Sequence, residues 1–256
     1  MFLALRELYF GGVMKIREVK EMPRRLVLGL RDRLSCSDIG SMDKNLLVRA
    51  ATSVFWGGIF LTGLFYGGAA FYFLLFLLAM ISSFEWHTIT VGNRLFYIPA
   101  VFMIALPYTA MAYIYALPHG TIILSWLLVA IWSTDVAAYF LGKSLGTSKI
   151  IPSISPNKTW VGLWGGMAFS AISTLVMSMI FGIFFVSHAI VIGVIIAVVA
   201  QCGDIAESAI KRVCDVKDSG FIVPGHGGVM DRMDGFIFTA PLVAYYIKHF
   251  SKFFIS

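Results

Sequence analysis

Residues 159–203 read TWVGLWGGMAFSAISTLVMSMIFGIFFVSHAIVIGVIIAVVAQCG, without one Asp, Glu, Lys or Arg. A bilayer core of about 30 Å is crossed by about 20 helical residues. The stretch is too long for one crossing and about right for two. Ala50–Phe84 and Leu95–Thr134 are two further blocks of the same kind. Each block has a break near its middle: Gly67-Gly68, Leu117-Pro118-His119-Gly120 and Ser187-His188. Gly and Pro punctuate turns. The pattern predicts three helical hairpins, with spans at about 50–66, 69–85, 95–116, 121–141, 161–183 and 186–206. A seventh span begins near Gly235. Lys248 and Lys252 fall in its last turns and would snorkel to the far interface. The expected fold class is therefore all-α: a polytopic helical membrane protein with about seven transmembrane helices.

Composition agrees. The chain is 59% hydrophobic and only 13% charged, against about 25% charged in soluble domains, which excludes a soluble enzyme. A hairpin returns the chain to its starting side. Residues 1–49, 85–94, 135–158 and 204–234 then share one face of the membrane. That face holds every Asp and Glu and all the Lys and Arg except Lys248 and Lys252, while the opposite turns hold none. The positive-inside rule makes the charged face cytoplasmic and leaves the C-terminus outside. The expected location is a membrane crossed several times, with the charged face toward the cytoplasm.

Residues 1–45 form a separate basic cytoplasmic segment, partly amphipathic and interrupted by Pro23. It is either a tail resting on anionic lipid or a membrane-binding element, and Met14 is an alternative start to Met1. Residues 46–256 form the membrane-embedded domain. Cys36, Cys202 and Cys214 show no metal-ligand spacing, so neither a disulfide framework nor a zinc site is indicated. No cleavable signal peptide is expected, nor any nucleic-acid partner. A homodimer through an apolar face is compatible with the pattern, though no motif calls for it.

Several polar residues interrupt the hydrocarbon. Asp135 falls in the fourth span, where a carboxylate costs at least about 2.5 kcal/mol on insertion scales. It either meets a partner or metal, or sits at a helix end facing headgroups. Asp204, Glu207, Ser208 and Lys211 share one helical face, on which Glu207–Lys211 reads as an ordinary i,i+4 ion pair. In Ser153–Gly162, Pro156 stops any helix, Ser155 or Asn157 can cap the next one, and Lys158 would lie at its first turn. Free N–H groups plus a lysine make an anion site. Equally, Lys158 and Trp160 could simply anchor an interfacial loop.

Ser208–Asp234 reads SAIKRVCDVKDSGFIVPGHGGVMDRMD and packs five Lys, Arg and His side chains and four Asp into a chain that is otherwise mostly hydrocarbon. Pro224-Gly225-His226-Gly227-Gly228 is too glycine-rich for a helix, and such loops let backbone N–H groups approach phosphate oxygens. Asp231 and Asp234, three apart, would project on one side of the following turn. With Asp218 they offer hard oxygen ligands suited to Mg²⁺. Lys217 and Arg232 can neutralise phosphate. His226 is either a structural hydrogen-bonder or a phosphate contact. These features point to phosphoryl or nucleotidyl transfer to a lipid.

The stretch resembles the signature of the phosphatidate cytidylyltransferases (CDP-diacylglycerol synthases). The carrying residues are Ser208, Lys211-Arg212, Lys217-Asp218, the small Gly220, Pro224, His226-Gly227-Gly228 and Asp231-Arg232-Met233-Asp234. The segments from Asp135 through Tyr139 to Gly142, Ser155 to Trp160, and Gly203-Asp204 with Glu207 resemble the family's upstream motifs. The likeness covers about residues 46–256. Val223 and Val161 depart from it, the latter where many members have Glu.

The resemblance implies CTP and phosphatidic acid as substrates, CDP-diacylglycerol and pyrophosphate as products, and Mg²⁺ as cofactor. It implies Asp218, Asp231, Asp234 and Asp204 as metal ligands, with Asp135 near them on the substrate side. Ser155, Lys158, Thr159, Ser208, Lys211, Gly227 and Gly228 would hold phosphates. Lys217, Arg232 and His226 would serve the leaving pyrophosphate or the lipid phosphate. Competing readings are a related CTP-dependent lipid transferase or polyprenol kinase, and a secondary transporter coupled through Asp135 and Asp204. One-sided charge and the absence of an evident repeat count against the transporter.

Overall fold

The computed structural model describes residues 57–90, 93–220 and 227–250. The N-terminal segment, the start of the first span, Pro224 and His226 lie outside the described residues. Helix α1 is described over Gly57–Tyr66. It is followed by α2 (Ala69–Thr90), α3 (Arg94–Ala116) and α4 (Gly120–Leu145). A hairpin of β1 (Lys149–Ile151) and β2 (Ser155–Thr159) comes next. The chain then forms α5 (Trp160–Phe181), α6 (Val186–Val213), the short α7 (Met230–Met233) and α8 (Phe236–Phe250).

The protein is a helical membrane protein. Helices α2 to α6 are the 5 described helices long and apolar enough to cross a bilayer. Helix α8 has 15 residues, short of the usual crossing length. Two of the expected breaks fall where the glycines and Leu117–His119 place them. Gly67 adopts φ +82°, a conformation open to glycine. The third does not: α5 ends on Gly182 at φ +63° and α6 begins at Val186. Ser187 and His188 thus lie inside α6. Glycine in the left-handed conformation ends a helix more effectively than a polar pair does.

Two further expectations are corrected. Helix α2 runs on to Thr90, so Glu85 belongs to a helix and not to a loop. Residues 155–159 form a strand, so neither Ser155 nor Asn157 caps a helix and Lys158 is not in a first turn. The cap is Thr159, whose hydroxyl accepts the Gly162 amide at 3.1 Å. The hairpin is antiparallel, pairing Lys149 with Thr159 and Ile151 with Ser155. It is the one departure from an all-α fold among the described residues.

Helices α4, α5 and α6 approach closely because α5 buries small residues at four-residue spacing: Gly162, Gly166, Ser170, Thr174 and Ser178. Membrane helices associate through such faces, since lipid supplies no hydrophobic drive between them. A Cβ on Gly193 of α6 would lie 2.6 Å from the Ala171 Cα of α5. Trp126 fills the adjoining core and donates its indole N–H to Thr174 at 3.1 Å. This packing sets the end of α4 beside the last turns of α6.

Candidate active site

Helix α6 carries Gln201, Asp204, Glu207, Ser208 and Lys211 at the spacing of one helical face. Lys158, on β2, reaches this face. Its ammonium lies 2.6 Å from Asp204 Oδ2 and 2.7 Å from Gln201 Oε1. The lysine expected to wait for an anion is therefore already paired, and Gln201, which the sequence did not single out, is one of its partners. Ser208 donates to Asp204 Oδ1 at 3.3 Å. Lys211 is likewise already paired with carboxylates. It bonds Glu207 at 3.0 Å, the expected i,i+4 pair, and Asp231 at 2.6 Å.

Asp231 and Asp234 have different partners. Asp231 is buried and uses both oxygens: Oδ1 takes Lys211, and Oδ2 takes the amides of Ser219 at 3.0 Å and Gly228 at 2.8 Å. Burial works to raise its pKa, but Glu207, the Lys211 ammonium and the Gly228 amide outweigh burial and hold it below the usual carboxylate value. Asp234 accepts the Gly235 amide at 2.7 Å. Desolvation among the packed helices, then the nearby Asp204 and Asp135 carboxylates, push its pKa up to about 8. Gly203 makes this approach feasible, because a Cβ there would lie 2.5 Å from the Asp234 carbonyl oxygen.

Asp135 is exposed on α4, within electrostatic range of Asp204, Lys158 and Arg232. Lys217, Asp218 and Arg232 are exposed as well. Thr159 is buried and occupied as a helix cap. Gly227, at φ +86°, and Gly228 turn their backbones toward carboxylates: a Cβ on Gly227 would meet Asp231 Oδ2 at 2.5 Å, and one on Gly228 would meet Glu85 Oε2 at 2.5 Å.

Glu85 is the residue the sequence reading missed. Its carboxyl accepts the Val229 and Met230 amides, each at 2.9 Å, and the Ser219 hydroxyl at 3.3 Å. The available signal was positional. The buried residues of α2 run Phe71, Leu75, Leu78, Ser82, Glu85 and Ile89. That is the alternating three- and four-residue spacing of one helix face, and Glu85 falls on it.

Among the described residues, no three Asp, Glu, His or Cys side chains converge as a ready-made metal site. Asp135, Asp204 and Asp234 nonetheless supply hard oxygens under mutual repulsion. Mg²⁺ suits such a set, because it binds through one or two carboxylates together with substrate phosphates and retained waters. A cavity of about 320 Å³ lies between the end of α2 and α3, lined by Trp86, His87, Thr90, Tyr97, Val101 and Ile104. None of the acidic residues above lines it.

Residues 89–250 match the sequence profile of the Cytidylyltransferase family. The chain is 30% identical to a phosphatidate cytidylyltransferase of Rickettsia bellii over 206 residues, covering 78% of this chain and 89% of that protein. It is 42% identical to a phosphatidate cytidylyltransferase of Bacillus subtilis over 135 residues, 52% of this chain and 50% of the relative. It is also 42% identical to the uncharacterized protein YnbB of Escherichia coli over 130 residues, 51% and 44% of the two chains. The match thus spans about half the length of the latter two proteins.

Proposed function

This chain belongs to the cytidylyltransferase family, and from that premise we propose that it makes CDP-diacylglycerol and pyrophosphate from CTP and phosphatidic acid in phospholipid biosynthesis. The observation that carries the reading is the acidic cluster of Asp135, Asp204 and Asp234 with Lys158 and Arg232 beside it. The nucleophile is a phosphate oxygen of phosphatidate, which is already anionic near neutral pH because a phosphomonoester has its second pKa near about 6. It attacks the α-phosphorus of CTP, the bond to the β-phosphate oxygen breaks, and pyrophosphate departs. No general base is needed. The difficulty is bringing two polyanions together, and positioning with electrostatic stabilisation overcomes it.

In this reading Asp234 and Asp204, with Asp135, would hold Mg²⁺, which supplies positive charge to the phosphates. Asp218 stands exposed beside Gly227, and Asp231 reaches an ion only by releasing Lys211. With Asp204 engaged in holding Mg²⁺, Lys158 would be left to contact the triphosphate. Arg232 and Lys217 serve the pyrophosphate. His226 belongs to the same signature and keeps its proposed phosphate role. We place the cluster at the cytoplasmic face of a bacterial inner membrane, with α1 and α8 completing seven spans.

The decisive assay supplies labelled CTP and phosphatidate to the purified protein. The expected result is Mg²⁺-dependent pyrophosphate release with CMP on the lipid. Phosphate on the lipid would indicate a kinase, and no CTP turnover would return the transporter to consideration. Topology is tested by cysteine labelling at two exposed positions, Pro118 and Thr147, in a background without Cys36, Cys202 and Cys214. The two sites should label from opposite sides of the membrane, and labelling from one side would sink the hairpin arrangement.

A further inference from the structure

We propose that Glu85 is a positioning residue for the signature segment: from α2, it holds Ser219 and the backbone of Val229 and Met230 and so sets the aim of Asp231 and Asp234. The inference rests on the cytidylyltransferase reading of the signature. Glu85 itself lies before residue 89, where the family match begins.

Three donors converge on this one carboxyl. Oε1 takes the Val229 amide at 2.9 Å, and Oε2 takes the Met230 amide at 2.9 Å and the Ser219 hydroxyl at 3.3 Å. Val229 and Met230 immediately precede Asp231, so they start the turn that carries both signature aspartates. Ser219 ties the two acids together, giving its hydroxyl to Glu85 and its amide to Asp231. Glu85 is only 2% exposed. An unpaired polar group buried there would be costly, so carboxyl and loop hold each other in place.

The glycines of the loop support the same role. A Cβ on Gly220 would lie 2.8 Å from Glu85 Oε1, 3.1 Å from its Cδ and 3.2 Å from its Cγ, all three nearest atoms belonging to Glu85. A Cβ on Gly228 would meet the Ser219 hydroxyl and Glu85 Oε2. These two signature positions are small because the Glu85 carboxyl occupies the space. The chemistry also calls for an acid and not an amide. Two oxygens accept three donors here, whereas a glutamine would turn its NH₂ toward a backbone N–H.

The test compares Glu85→Gln with the parent in the full-length protein, reading kcat at saturating substrates, the Mg²⁺ concentration for half-maximal rate, and hydrogen exchange at residues 228–231. Loss of a charge-assisted contact predicts a fall in kcat of about ten- to hundredfold per folded molecule. It also predicts a raised Mg²⁺ requirement and lost protection of the Val229 and Met230 amides. Parental kcat and Mg²⁺ dependence per folded molecule, with only a lower Tm, would overturn the proposal by making Glu85 purely structural. Should Glu85→Gln not fold, Gly220→Ala displaces the same carboxyl while keeping its charge. It should reproduce the kinetic loss and add little to Glu85→Ala, since the pair share one space. Parental kinetics in Gly220→Ala, or additive losses in the double variant, would overturn the proposal too. A parent protein without CMP transfer would defeat the functional reading instead. Exchange at Val229 and Met230 would still judge Glu85, and unchanged protection there would reject its hold on the loop.

Discussion

Glu85 and Asp231 give both oxygens to donors inside the protein. Asp135, Asp204 and Asp234 lie close enough to repel one another, with Lys158 bonded to Asp204 and Arg232 within electrostatic range. Residues of one chemical type thus do two jobs. Where amides, a hydroxyl or a lysine engage both oxygens, the acid holds shape and its charge is spent internally. Where acids crowd together with few donors, their charge remains available to a cation arriving with substrate. Asp231 is held below the usual carboxylate value by its partners, and Asp234 is pushed up, first by desolvation and then by its acidic neighbours.

The sharpest way to break this contrast is Asp231→Asn. Removing one partner of a buried ion pair costs about 3–5 kcal/mol, and since Glu207 still shares Lys211 we expect the lower end, about 3 kcal/mol. Thermal unfolding in detergent reads it, and an unchanged Tm would remove Asp231 from the shape-holding group. Asp234→Asn should behave in the opposite way. Turnover should fall by about two to three orders of magnitude, in a protein that is folded and inserted. Its stability effect has a definite sign. The folded pKa of about 8 stands above the ordinary aspartate value of 3.8, so the metal-free folded state binds the extra proton and loses stability as pH rises between them. Asn cannot ionise, so the variant should gain on the parent as pH approaches 8. Near-normal turnover in Asp234→Asn would place the cation elsewhere.

Lys158→Met comes next. A lost charge-assisted contact is worth about 1.5–3 kcal/mol, roughly ten- to a hundredfold in kcat/KM. The loss should appear with CTP as the varied substrate and spare phosphatidate. Unchanged CTP kinetics in a less stable protein would leave Lys158 as a tie between β2 and α6. The smallest effect belongs to Thr159→Ala. Losing a helix cap costs about 1 kcal/mol, and CTP parameters should stay at parental values. A raised KM for CTP would instead return Thr159 to the substrate-binding group.

Much of the fold was legible because charge is excluded from hydrocarbon. The three charge-free blocks located the hairpins, and glycine at Gly67-Gly68 marked a true turn. Helix ends were harder to read. Charge reads as the edge of the membrane, which would end α2 at Glu85, whereas α2 continues to Thr90; α6 runs past Lys211, as the shared face of Asp204, Glu207, Ser208 and Lys211 predicts. A helix can leave the bilayer without stopping. The signature singled out candidate residues, but their partners depend on contacts from distant segments. Nothing near Lys158 in sequence announces Gln201, and nothing near Gly220 announces Glu85. Ser155–Thr159 became a strand because it pairs with Lys149–Ile151, a tertiary effect that local capping preference does not see.

The bond from Glu85 to Val229 joins residues 144 positions apart. At about 5–20 residues per second, the ribosome needs roughly 7–29 s to pass from one to the other. Throughout that interval α2 is in or entering the membrane with a carboxyl whose eventual donors do not yet exist. The first-made helices are therefore completed by the last-made loop. A chain cut short before residue 229 would display an unsatisfied acid on an apolar helix, a chemical mark by which membrane quality control could tell an unfinished protein from a finished one.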